Sequence, residues 1–170
     1  MRSVFLVTGL ILGFALPSQA RIGETLDQCK ERYGPVIEQR QALLKQSDGV
    51  ACVFSKGGIS VIVEFRAGIA WNVQYRTLDL VASQVNDLLK ANMPMGGSWS
   101  AAYIVSGVQY RLSGDRRRTS MFHPGLAGEV GILEISTREF NNARWEMRSA
   151  QFMDPDGGAK SPGAKALDGF

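Results

Sequence analysis

Histidine occurs once in this chain, at His123, and cysteine twice, at Cys29 and Cys52. Structural zinc takes four nitrogen or sulfur ligands, so two thiols and one distant imidazole give no metal centre, and no cofactor is expected. A serine or cysteine hydrolase needs a base beside its nucleophile, yet no Gly-x-Ser-x-Gly run is present. Phe122-His123-Pro124-Gly125 reads instead as a strand end and a turn. Charge of one sign is scarce too: 19 Lys and Arg against 16 Asp and Glu, interspersed, leave a net +3 that predicts no nucleic-acid partner. Long apolar runs are absent beyond the N-terminus, while 45% hydrophobic and 21% charged residues suit a globular protein.

The one long apolar run, Val4 to Leu16, follows Arg2 and precedes Pro17-Ser18-Gln19-Ala20. A positive start, a short apolar core and small residues at Ser18 and Ala20 define a secretory signal peptide over 1–20, cleaved near Ala20. The run is shorter than the roughly 20 residues that cross a bilayer. The chain is therefore expected to be periplasmic or secreted, and membrane association is the weaker expectation. Outside the cytoplasm an even cysteine count invites a disulfide, with two buried free thiols as the alternative. Leu26, Cys29 and Tyr33 share a helical face, and Val50, Cys52 and Phe54 a strand face. A Cys29–Cys52 bond is the expectation, contributing roughly 2–4 kcal/mol.

Glycine turns punctuate three strands between Val50 and Arg76. Ile59, Val61, Val63 and Phe65 alternate with Ser60, Glu64 and Arg66; Ile69, Trp71, Val73 and Tyr75 alternate with Asn72, Gln74 and Arg76. This period of two between turns predicts an antiparallel meander with one buried face. A short helix precedes it, capped at Thr25 and stopped by Gly34-Pro35. Val36 to Gln46 is ambiguous between an edge strand and a helix. A second helix spans Thr77 to Met93, capped by Thr77 or Asp79, with Val81, Val85, Leu88, Leu89 and Asn92 on one stripe. Trp99, Ala101, Tyr103 and Val105 then alternate, Ser106-Gly107 turns, and Val108, Tyr110 and Leu112 alternate back. Val130 to Thr137 is a last strand, weakened by Gly128 and Gly131. The predicted fold is α+β: short helices on one face of an antiparallel sheet, as two helix-then-strands units over 21–76 and 77–152. Residues 153–170, rich in Gly, Pro and Asp, are expected to form a disordered tail.

Ile22-Gly23-Glu24-Thr25-Leu26, Tyr33-Gly34-Pro35 and the strands after them resemble the SmpA/OmlA (BamE-type) envelope proteins and the beta-lactamase-inhibitor-protein family. The resemblance covers about Ile22 to Arg76, with a divergent copy from Thr77 onward. It implies helices on one face of an antiparallel sheet and a role exercised by binding other proteins. The chain departs from the BamE-type pattern in having no cysteine just after its signal peptide. It also resembles small exported bacterial proteins without an assigned role.

The expected function is that of an exported, non-enzymatic binding or structural protein acting through protein–protein contacts. Candidate contact residues are Arg111, Arg116, Arg117, Arg118, Trp99 and Tyr103. The rival readings are a small hydrolase built from scattered carboxylates and His123, and a carrier holding a small ligand between helices and sheet.

Overall fold

A computed structural model of the chain describes residues 21–94, 96–125 and 128–153. The expected signal peptide and the tail beyond Met153 lie outside the described residues. The elements run α1 (Leu26–Tyr33), β1 (Glu38–Gln41), β2 (Val50–Lys56), β3 (Ile59–Arg66), β4 (Ile69–Leu78), α2 (Ala82–Ala91), β5 (Tyr103–Val105), β6 (Val108–Leu112), β7 (Arg118–His123), β8 (Val130–Thr137) and α3 (Arg138–Met153). Among the described residues helix-then-four-strands thus occurs twice, followed by a third helix. All eight strands form one antiparallel sheet in the order β1-β2-β3-β4-β8-β7-β6-β5. The last strands of the two halves, β4 and β8, meet in the middle, and the first strands, β1 and β5, form the outer edges.

α1 begins as its residues dictate. The Gln28 backbone N–H donates to the Thr25 hydroxyl, and the Thr25 N–H donates to the Gln28 side chain. This reciprocal pair satisfies two of the donors that a helix start leaves open. Gly34, at φ +90°, closes the helix by donating its N–H to the Lys30 carbonyl. α2 starts later than Thr77 or Asp79 would place it: β4 runs on to Leu78, Asp79 turns the chain at φ +55°, and Val81 precedes the first helical residue.

α1 and α2 cover the first face of the sheet. Cys29, Cys52, Phe54, Val61, Val63, Val73, Tyr75, Val85, Leu88, Leu89, Leu133 and Ile135 form the main core there. The second face carries α3, whose inward residues Phe140 and Ala143 pack with Trp71 and Leu44 in a separate cluster. Trp71 corrects the simple alternation. Glu64 pairs with Asn72 and Phe65 with Ala70, so Trp71 is an extra residue in β4. The bulge turns its indole onto the second face, edge-on to Phe140 at 5.2 Å. It does not pack with Cys29 and Val61.

The expected disulfide is not formed. Cys29 and Cys52 are both buried free thiols in the same core cluster. The placement on a shared layer holds, and the bond does not: each thiol is enclosed by aliphatic and aromatic neighbours, where cysteine behaves as a small hydrophobe that needs no partner.

Gly131 does not weaken β8. A Cβ there would lie 2.7 Å from the Leu80 Cβ. Glycine lets β8 pass directly beneath the turn that leads into α2, beside Thr77 of β4.

Candidate functional site

The candidate site is the far end of the sheet, where β5, β6 and β7 extend beyond the helices. One cross-strand row on the second face runs Gln74, Glu134, Met121, Tyr110, Tyr103. Its inner end is roofed by α3: Arg144 Nη2 donates to Glu134 Oε1 at 2.6 Å, and Gln74 Nε2 donates to Glu134 Oε2 at 2.9 Å. Asn141 reaches out to the Thr119 hydroxyl on β7. Beyond that point the row is open. Tyr103 and Tyr110 stack at 5.3 Å between centroids and 17° between planes. Tyr103 is 51% exposed, and Val105 (53%) and Leu112 (40%) stand in water nearby. Met121, Tyr110 and Val108 are half-buried and complete an aromatic and aliphatic strip.

The local sequence explains the exposure. Val105 pairs with Val108 across Ser106-Gly107, at φ +49° and +79°. Two consecutive residues at positive φ make the tight turn that matches hairpin twist. The hairpin is short, and its second-face side chains Tyr103, Val105 and Leu112 stay exposed.

The six residues singled out from the sequence separate into several places. Tyr103 lies in the strip. Trp99 and Arg111 come together elsewhere, lining a groove of about 380 Å³ with Leu89, Lys90, Met93 and Ser98. Trp99 donates its indole N–H to the Leu89 carbonyl at 2.7 Å, and Arg111 donates to the Ser100 carbonyl. Arg111 alternates with Tyr110, so this groove is on the first face of the sheet. Arg116 and Arg117 are exposed at the β6–β7 turn, which Asp115 ties together by accepting from Ser113 and the Arg117 N–H. Arg118 turns inward and donates to the Asn92 carbonyl at 2.6 Å, and burial pushes its guanidinium pKa down. It serves the α2 terminus. β7 begins at Arg118, so Arg118, Ser120 and Phe122 share the core side, and that alternation is the signal distinguishing Arg118 from its neighbours.

Trp145 was not among the candidates. It stands 73% exposed on the outer side of α3. Its signal is its place two residues past Ala143, on the opposite side of the helix from the buried residue.

Two further groups bear on chemistry, a buried carboxylate and the lone histidine. Glu64 is buried and accepts from the Leu43 N–H, the Ser47 hydroxyl and Asn72, pinning the loop after β1 to the sheet. His123 lies exposed at the end of β7, opposite Ile132. Among the described residues no three His, Cys, Asp or Glu side chains are grouped to hold a metal ion, and no helix is long and apolar enough to cross a membrane.

Burial pushes the Cys29 thiol up to about 12, with the Glu24 charge adding to it. Burial also raises Cys52, Tyr33 and Tyr75. For each, the folded state holds a proton that the unfolded chain releases at lower pH. Their contribution is complete below the unfolded values and is lost as pH rises toward the folded ones. Stability should fall above pH 9, the ordinary thiol value, by about 1.4 kcal/mol per pH unit for Cys29 alone. Urea titrations between pH 8 and pH 11 would check this. Native protein should resist alkylation at pH 8, and denatured protein should take two labels without reductant; a mass showing no labels after denaturation would restore the disulfide.

The fold and this surface define an α+β protein on an open antiparallel sheet, with an uncovered aromatic strip at one end. No protein-family profile matches the chain, and no curated protein matches it in sequence. Among solved structures it is distantly similar to a cysteine-rich secretory protein of Staphylococcus aureus, with a TM-score of 0.41 and 12% identity. The likeness covers 70% of this chain and 45% of that one, so the chain spans less than half of that protein's length.

Proposed function

We propose that this is an exported, non-enzymatic binding protein that acts through protein–protein contacts, with the strip on β5–β7 as its contact surface. The supporting observation is the Tyr103–Tyr110 stack, exposed beside Val105 and Leu112 at the uncovered end of a rigid sheet. Aromatic anchors held by a scaffold, with little rotamer freedom to lose, are what dominates binding energy at protein interfaces. The same residues contribute little to the core, so their exposure is not repaid by folding. Export, after cleavage near Ala20, would place this surface in the periplasm or outside the cell.

The test is capture from the envelope fraction of the source organism, comparing wild type with the Tyr103→Ser/Tyr110→Ser double variant. A partner retained by wild type should bind the variant at least about 100-fold more weakly, the loss of two aromatic anchors. The melting temperature should change little. Equal capture by both proteins would refute the assignment of this surface.

A further inference from the structure

The two outer edges of the sheet are built differently. β1 reads Glu-Gln-Arg-Gln, all four residues exposed, and Arg40 grips Glu38 through two hydrogen bonds of 2.6 and 2.8 Å. Charges along an edge strand are a means of preventing another chain from adding to the sheet. β5 reads Tyr-Ile-Val, also exposed throughout, and no charged residue occurs from Ala101 to Tyr110. Ile104, at its centre, is 67% exposed. Among the described residues no charge, proline or covering segment guards this edge.

The hairpin fixes which backbone groups the edge offers. In a two-residue hairpin the residues flanking the turn exchange both hydrogen bonds, so Val105 and Tyr103 face β6. Ile104 is the non-bonded member of the ladder, and its N–H and C=O point outward. A strand with its free donor and acceptor on its central residue is self-complementary about a two-fold axis. Two copies would exchange both bonds between their Ile104 residues, with Tyr103 of each opposite Val105 of the other. No charge meets its like across such an axis, and an apolar pair is what stabilises a cross-strand position.

We infer that β5 pairs antiparallel with β5 of a second copy of this chain, joining two eight-stranded sheets across an isologous contact. The contact uses the edge of β5, and stands independently of the binding role given to the face of β5–β7. The guarded β1 edge ends each sheet, so association closes at two. A ladder of three residues buries much less than the roughly 1,200–2,000 Å² of a stable interface, so the dimer should be concentration-dependent, with a Kd weaker than about 1 µM.

Sedimentation of wild type from about 1 µM to about 1 mM should show monomer passing to dimer. Ile104→Lys places two ammonium groups face to face across the axis and should weaken the dimer at least tenfold, with an unchanged melting temperature. Ile104→Cys gives an independent readout. The Cα atoms of a hydrogen-bonded antiparallel pair lie about 5.5 Å apart, within the range a disulfide spans, so mild oxidation should yield a covalent dimer at that position. Monomer at every concentration, a dimer indifferent to Ile104→Lys, or open-ended polymers would each overturn the inference. A strand of another protein on β5, with no self-association, would overturn it equally. All of these results leave the Tyr103/Tyr110 capture test unaffected, so the two readings fail separately.

Discussion

Replacing Asn92 with leucine is expected to lower the unfolding free energy by about 4 kcal/mol, near the upper end for a single substitution. Asn92 is 0% exposed at the end of α2 and binds in every direction. Its Oδ1 accepts from the Ile22 N–H at 3.2 Å, and its Nδ2 donates to the Tyr75 hydroxyl and the Leu88 carbonyl, both at 2.9 Å. Its own carbonyl accepts from Arg118. One side chain thus ties the segment before α1, β4 and the last turn of α2. Leucine is close in size, so little cavity term enters. The cost comes from leaving a backbone N–H and a phenol buried with a lost partner, at roughly 1–3 kcal/mol each. For a domain of this size the melting temperature should fall by about 10–20 °C. A loss under about 1 kcal/mol would show that water or another group takes over these bonds.

Arg144→Met should cost about 3 kcal/mol, because it strands Glu134 beneath α3 with no cation. The Arg144 and Glu134 side chains are only 12% and 7% exposed, and their contact is 2.6 Å. Arg144 also holds Asn141 at 2.8 Å and lies 5.0 Å over the Phe140 ring. Methionine keeps most of the arginine stem's packing. The double variant Arg144→Met/Glu134→Gln should recover much of the loss, since an amide needs no counter-charge. A double-mutant cycle by urea unfolding measures the coupling, expected between about 0.5 and 3 kcal/mol. Additive single effects would mean that the pair is solvated and that α3 is held by its apolar cluster with Trp71 and Leu44 and by the Asn141 bonds instead.

β2, β3 and β4 were legible because each is an apolar-rich run bounded by a turn. The antiparallel ladder follows from those turns, but the single buried face does not hold: Ala51, Val53 and Ile62 are buried on the second face, opposite Cys52, Phe54, Val61 and Val63 on the first. Trp71 escaped because a bulge leaves no mark in composition: the same residues would suit an uninterrupted strand. α3 escaped for a different reason. Phe140, Ala143 and Met147 have helical spacing, but Ala143 is small, and the inward face between them is completed by Arg144, whose charge reads as exposed until Glu134 is seen beneath it. The candidate site was partly legible. Alternation placed Tyr103 and Tyr110 on one side of a hairpin, yet whether that side was covered depended on where α3 lies. The run Arg116-Arg117-Arg118 shows the limit of reading charge alone: two of the three meet water, and the third caps a helix from within.

The joint between β4 and β8 also governs the order of assembly. It ties Gln74 to Glu134, 60 positions apart, whereas β2, β3 and β4 follow one another through tight turns. Closing so large a loop costs entropy that nearby contacts do not. A chain delivered from its N-terminus would complete its first half early and wait with β4 bare along one side. That interval, before β8 docks, leaves an unpaired strand edge open to pairing with another chain.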